Sequence, residues 1–98
     1  VSAPAELVIT VTDDDIASGV RKDGAKCPIA VAICRLYPGV RDPFVGGDLT
    51  RQIGIYWDEE AWPVIYAMPD EAVDFTLCFD HVHSGTVAPF TFTALVIP

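Results

Sequence analysis

The sequence predicts an α+β domain: a four-stranded mixed sheet with helices packed on one face, in the order β-α-α-β-β-α-β. Three observations carry this. Segments rich in β-branched and aromatic residues interleave with segments whose apolar residues recur at three- and four-residue steps. Apolar residues make up 51% of the 98-residue chain against 20% charged, enough to build one core, so residues 1–98 form a single domain. Pro, Gly and Asp cluster between the periodic segments, where turns are needed. Strands joined by helices and covered on one side make a two-layer sandwich. The order is compatible with a ferredoxin-like arrangement, and strand order is left open.

Glu6 to Thr12 (ELVITVT) is rich in β-branched residues and alternates at its end, a strand signal. Thr12 then caps a short helix. Asp15 stands three residues on, as in a capping box, and Asp13, Asp14 and Asp15 suit the positive end of the helix dipole. Gly19 weakens that helix, and Arg21 to Lys26 is a polar loop. Cys27 to Leu36 reads as a second helix. Pro28 fits its first turn, and Ile29, Ala30, Ile33, Leu36 and Tyr37 fall on one face. Cys27 and Cys34 would stand about 10 Å apart along it, too far for a disulfide. Pro38-Gly39 ends the helix, and residues 38–48 (PGVRDPFVGGD) give the longest loop signal in the chain.

Gln52 to Trp57 reads as a strand, Asp58 to Glu60 as a polar turn, and Ala61 to Met68 as the returning strand. Pro63 pushes that strand toward an edge or a bulge. Pro69-Asp70-Glu71 opens the last helix. Ala72, Phe75, Phe79 and Val82 form its apolar stripe with Cys78 beside it, and Ser84-Gly85 closes it. Pro89 to Ile97 alternates as the final strand.

Fourteen acids against six Lys and Arg give a net charge of −8. A chain this apolar is outside the disordered class, and one this acidic is not built for indiscriminate contact with a phosphate backbone. Three cysteines, Cys27, Cys34 and Cys78, are too few and too odd for a secreted disulfide framework; they read as reduced, mostly buried thiols in a cytosolic protein. No basic-then-apolar leader pattern opens the sequence. The uncharged stretch from Ser84 to Pro98 is short of the roughly 20 residues that cross a bilayer and reads as strand. The expectation is a soluble protein that meets no membrane.

Candidate chemistry is sparse. Cys78, Asp80, His81 and His83 place sulfur, carboxylate and imidazole close together, but the spacing is poor for a zinc site, and no metal is assigned. Cys27 at a helix N-terminus beside Lys26, with His81 or His83 as base, would make a Cys/His nucleophile. Any small protein with three Cys and two His permits that pairing. The carboxylates at 13–15 and 58–60 sit at element ends, where acids are ordinary caps and turns. No Gly-x-Ser-x-Gly, His-Glu-x-x-His or phosphate loop is present. The chain is therefore read as no enzyme, with no catalytic residue and no cofactor. Arg21, Lys22 and Lys26 are the basic concentration and the candidate anion site. Trp57 and Trp62 flank the acidic turn, either paired across the hairpin or joined with Arg41 and Phe44 in a partner-binding surface. The acidic excess serves solubility or mimics nucleic acid toward a basic host protein.

The run Ile9-Thr-Val-Thr-x-x-x-Ile16-x-x-Gly19-Val-Arg21, then Cys27-Pro-Ile-Ala-Val-Ala-Ile33, Met68-Pro-Asp-Glu-Ala72-x-x-Phe75-x-x-x-Phe79-Asp80 and Val87-x-Pro-Phe-x-Phe92 resembles a group of small uncharacterised proteins of actinobacteria-infecting phages and prophages. The Ile-x-x-Gly … Cys-Pro-Ile-Ala core is its most specific part, and the Pro-Phe-x-Phe ending the next. Residues 38–48 and the Trp-bearing hairpin depart from the pattern. The resemblance implies a phage-encoded α+β protein in the cytoplasm of the infected host and carries over no catalytic residue. The leading expectation is an accessory protein that binds a host protein, of host-takeover or counter-defence type, with no nucleic acid bound directly. One alternative sequesters a nucleotide-type signal, with Arg21, Lys22, Arg41 or Arg51 on phosphate and Trp57, Trp62 or Tyr56 stacking. Others are an acidic DNA-mimic inhibitor, a Cys27 enzyme and a virion part. The apolar content also allows a homodimer.

Overall fold

The computed structural model describes residues 3–58, 60–81 and 87–97. The first strand, β1 (Glu6–Val11), turns Leu7, Ile9 and Val11 inward and Glu6, Val8 and Thr10 outward. Thr12 stops it and starts α1 (Asp13–Ser18). Its hydroxyl accepts from the Asp15 N–H at 3.3 Å, and the Asp15 carboxylate accepts from the Thr12 N–H at 2.9 Å, which completes the capping box. Helix α2 (Pro28–Leu36) follows, with Cys27 at its N-cap, Pro28 in its first turn and Ala30 and Ala32 fully buried. The rest of the chain runs β2 (Val40–Val45), the single turn α3 (Gly47–Thr50), β3 (Gln52–Trp57), β4 (Val64–Ala67), α4 (Asp70–His81) and β5 (Phe90–Val96).

The α+β class holds, but the sheet is five-stranded and antiparallel throughout, in the order β1-β5-β4-β3-β2, and it curls into a half-barrel. This corrects the four-stranded mixed sheet. The extra strand is β2, inside the stretch read as loop. Pairing of Val40 with Trp57 and of Val45 with Ile53 overrides its loop-like composition, and a bulge between Arg41 and Phe44 absorbs Pro43 and the left-handed Asp42. The ferredoxin-like arrangement falls with it. Three strands separate β1 from β2, where a split βαβ unit inserts one. The returning hairpin strand is also shorter than expected, Val64–Ala67, because it starts only after Pro63. Val82 and Ser84-Gly85, read as the end of the last helix, lie outside the described residues, as does Glu59 of the hairpin turn.

Curling lets α2 pack against both edge strands, β1 and β2, at once. Ile29 and Ile33 from α2 join Leu7, Ile9, Ile53, Ile55 and Tyr66 in the core. An aromatic row runs from α4 into β5: Phe75 stacks on Phe79, Phe75 on Phe90 at 4.7 Å, and Phe90 on Phe92. Both sheet edges are blunted. The Tyr37 hydroxyl accepts from the Val8 N–H at 3.0 Å and donates to the Val8 carbonyl at 3.1 Å, while Arg35 donates to the Thr10 carbonyl at 2.8 Å. The β2 edge carries the bulge and Pro43.

Candidate functional site

Two places on this scaffold gather the residues singled out from the sequence. The first is the end of the β2–β3–β4 meander. Arg41 on β2 lies opposite Tyr56 on β3, with its guanidinium 5.4 Å from the centre of the Tyr56 ring. The same guanidinium donates from Nε to the Asp58 carbonyl at 2.5 Å and from Nη2 to the Glu60 carbonyl at 2.9 Å. Asp58 takes a left-handed conformation, and its N–H donates to the Gly39 carbonyl. Arg41 and Gly39 together thus fasten the turn after β3. The fastened turn leads directly to Trp62, which is 81% exposed.

Trp57 behaves in the opposite way. It is 4% exposed and packs edge-on against Tyr37, with ring centroids 5.8 Å apart. The β3–β4 ladder ends at the Ile55–Val64 pair, short of both tryptophans, so no Trp57–Trp62 strand pair forms across the hairpin. The β3 alternation that turns Ile53 and Ile55 inward turns Trp57 inward too, leaving it no surface to offer a partner. Phe44 is exposed on β2, beyond the bulge from Arg41 and opposite Gly54. Of the four residues expected to bind a partner, Arg41, Phe44 and Trp62 reach the surface.

The second place is a cleft of about 310 Å³ between the 22–24 turn, the end of β2, α3 and the second half of α4. It brings together Lys22, Cys27, Phe44, Asp80 and His81, which are far apart in sequence. Cys27 is buried in its floor. Burial pushes its thiol up to about 11; the backbone N–H groups of Ala30 and Ile29 pull it down, and the carboxylates of Asp80 and Asp23 add to the rise. The expectation that the helix N-terminus would activate this thiol is thereby corrected: desolvation outweighs the helix. Cys34 and Cys78 are exposed, which corrects the reading of mostly buried thiols.

The candidate anion-site residues divide between this cleft and the surface beside it. Lys22 lines the cleft, whereas Arg21 and Lys26 are exposed outside it. The cleft's two basic side chains, Lys22 and His81, face two carboxylates, Asp23 and Asp80, and the Lys22 N–H already donates to Asp80 at 2.9 Å. Arg51 pairs with Asp70, and Arg41 is spent on the hairpin turn. His83 lies outside the described residues. Among the described residues, no three His, Cys, Asp or Glu side chains come together as a metal site. Also among them, no helix is long and apolar enough to cross a membrane.

Sequence reasoning missed the cleft, because the β2 end and the start of α3 that wall it lie in the 38–48 stretch read as loop. It also missed that the uncharged 84–98 run would place an uncharged strand in the interior of the sheet. Comparison with protein-family models, curated proteins and solved structures finds no match to this chain.

Proposed function

We propose that this chain is an accessory protein of an actinobacteria-infecting phage that works by binding a host protein in the host cytoplasm, with no reaction of its own. One observation carries the binding reading. Arg41 stacks on Tyr56 and ties down the turn that presents Trp62, so a large aromatic side chain stands in solvent on a fastened support. Trp, Tyr and Arg are the residue types that dominate interface energetics. A side chain held in place beforehand loses less freedom on binding. The phage and host parts of the reading rest on the sequence resemblance described above.

The buried, high-pKa thiol of Cys27 weighs against the Cys/His enzyme. Engagement of Arg41 and Arg51 within the protein weighs against a phosphate-binding sequestering protein. The test is a tagged pull-down from actinobacterial host lysate with the wild-type chain and with Trp62→Ala in parallel. The proposal expects one stoichiometric host protein with the wild type and its loss with the variant. Equal retention by both, or retention of nothing, overturns it.

A further inference from the structure

The cleft between the 22–24 turn, β2, α3 and α4 has walls that are tied to one another. Lys22, in a left-handed conformation, donates its N–H to Asp80 Oδ1 at 2.9 Å, which fixes the turn to α4. The Val45 N–H donates to the Gly24 carbonyl at 2.9 Å, which fixes the same turn to β2. Gly24 permits this approach: a Cβ there would come within 2.6 Å of the Val45 carbonyl oxygen and 3.0 Å of the Phe44 ring. Phe44 is therefore 58% exposed yet seated on the turn as one lip of the cleft. The Gly46 N–H donates to the Gln52 carbonyl at 2.8 Å and holds the entry of α3 against β3. The lining is of two kinds. Cys27, Phe44, Val45 and Leu49 supply apolar surface, and the Cys27 thiol in the floor is uncharged at neutral pH. Among the described residues, the basic side chains are Lys22 and His81 and the acidic ones Asp23 and Asp80. Asp23 accepts the Ala25 N–H at 3.0 Å and Asp80 that of Lys22. A carboxylate has about four acceptor positions, so both keep capacity for a ligand.

We infer that this cleft binds a small zwitterion with an apolar arm, of the class of the free apolar α-amino acids. The mixture of charges selects that ligand. A simple anion such as phosphate would meet Asp23 and Asp80, and a simple cation would meet Lys22. A wholly apolar ligand would strip water from all four polar side chains and give nothing back. A zwitterion answers both signs: its ammonium group pairs with Asp23 and Asp80, and its carboxylate with Lys22 and a ring N–H of His81. Its apolar arm then lies against Phe44, Val45 and Leu49. The volume of about 310 Å³ stands at the small end of ligand pockets, which span roughly 300–1,000 Å³, and so suits a single amino acid better than a nucleotide. Walls already tied together lose little freedom when the ligand enters. This inference does not depend on Trp62 or on the identity of any host partner.

Titration of the isotope-labelled chain with L-phenylalanine, L-leucine and L-methionine, read by amide chemical shifts, tests it. At least one of them is expected to shift the amides of Lys22, Gly24, Gly46 and Gly47 in a saturable way. The desamino and the decarboxylated analogue of that amino acid, each carrying one charge, should bind at least tenfold more weakly. Asp80→Asn removes the ammonium partner but keeps an acceptor for the Lys22 N–H, and Lys22→Gln removes the carboxylate partner. Each should weaken binding at least tenfold with an otherwise unchanged amide spectrum; with two variants, misfolding of one still leaves the test standing. No saturable shift at these amides with any of the three amino acids overturns the inference. So does inorganic phosphate or a single-charge analogue that binds as tightly as the amino acid, or an affinity that neither folded variant weakens.

Discussion

Gly19 lies so close to the ring of Pro28 that a Cβ on Gly19 would come within 2.5 Å of Pro28 Cδ and 2.6 Å of Cγ. Gly19 ends α1 and Pro28 begins α2, so this contact sets how the two helices enter their packing. It also gives a physical reason for the Ile-x-x-Gly … Cys-Pro pattern that needs no chemistry. Gly19→Ala is expected to destabilise the fold by about 1–3 kcal/mol through overpacking. Thermal denaturation reads this as a drop of several degrees. Adding Pro28→Ala to Gly19→Ala should recover part of the loss, and a purely additive pair would show that the contact is not the cause.

Arg35 on α2 holds the Asp15 carboxylate of α1 from Nε at 3.2 Å and from Nη2 at 2.8 Å. Burial pushes that carboxyl up, but the hydrogen bonds from Arg35 and Thr12 and the guanidinium charge outweigh it and hold it below its ordinary value of 3.8. A carboxyl held low in the folded state stabilises the protein fully above its unfolded-state value. That contribution is lost as the pH falls from about 3.8 through the lower folded-state value. Urea unfolding from pH 7 down to pH 2 should therefore show a slope that Asp15→Asn reduces. Arg35→Ala should lower the melting temperature at neutral pH only modestly, because the Arg35 side chain is 44% exposed and its charge is screened by solvent.

The three thiols should separate cleanly by alkylation. At neutral pH a thiol raised to about 11 has on the order of a hundredfold less thiolate than one at 9. Peptide mapping after brief treatment with iodoacetamide is expected to find label on Cys34 and Cys78, with Cys27 labelled only after denaturant is added. Rapid native labelling of Cys27 would contradict the buried floor of the cleft.

Tyr37→Phe removes the hydroxyl that occupies both main-chain groups of Val8. Water can replace it at this edge, so the expected loss is about 1 kcal/mol or less. The larger consequence is an unblocked strand edge. Light scattering on concentrated samples should show association beyond that of the wild type, and unchanged scattering would mean that Arg35 and the curl alone protect β1.

Local signals that answer to one element were legible in the sequence. The Thr12–Asp15 box, Pro28 in the first turn of α2, the Gln52–Trp57 strand and the Ala72–Phe75–Phe79 stripe all lie where their residue types require. What escaped depends on partners far along the chain. Residues 40–45 become a strand because β3 lies beside them, although Pro43 and two flanking glycine turns argue for a loop. The direction of Trp57 was fixed by the inward register of β3, which the flanking acidic turn does not reveal. The thiol of Cys27 looked activated from its helix position alone, and only the packing around it shows that desolvation dominates. Arg41 was marked as a surface residue, but its hold on the carbonyls of Asp58 and Glu60 required the β2–β3 register to bring them together.

The most direct measurement on the central claim is the affinity of the purified chain for the host protein it retains, by titration calorimetry, for the wild type and for Trp62→Ala. The account predicts a one-to-one complex that Trp62→Ala weakens at least tenfold, or about 1.4 kcal/mol or more, with an unchanged circular dichroism spectrum. Equal affinity of the two chains would show that the fastened turn and its exposed Trp62 are not the binding surface.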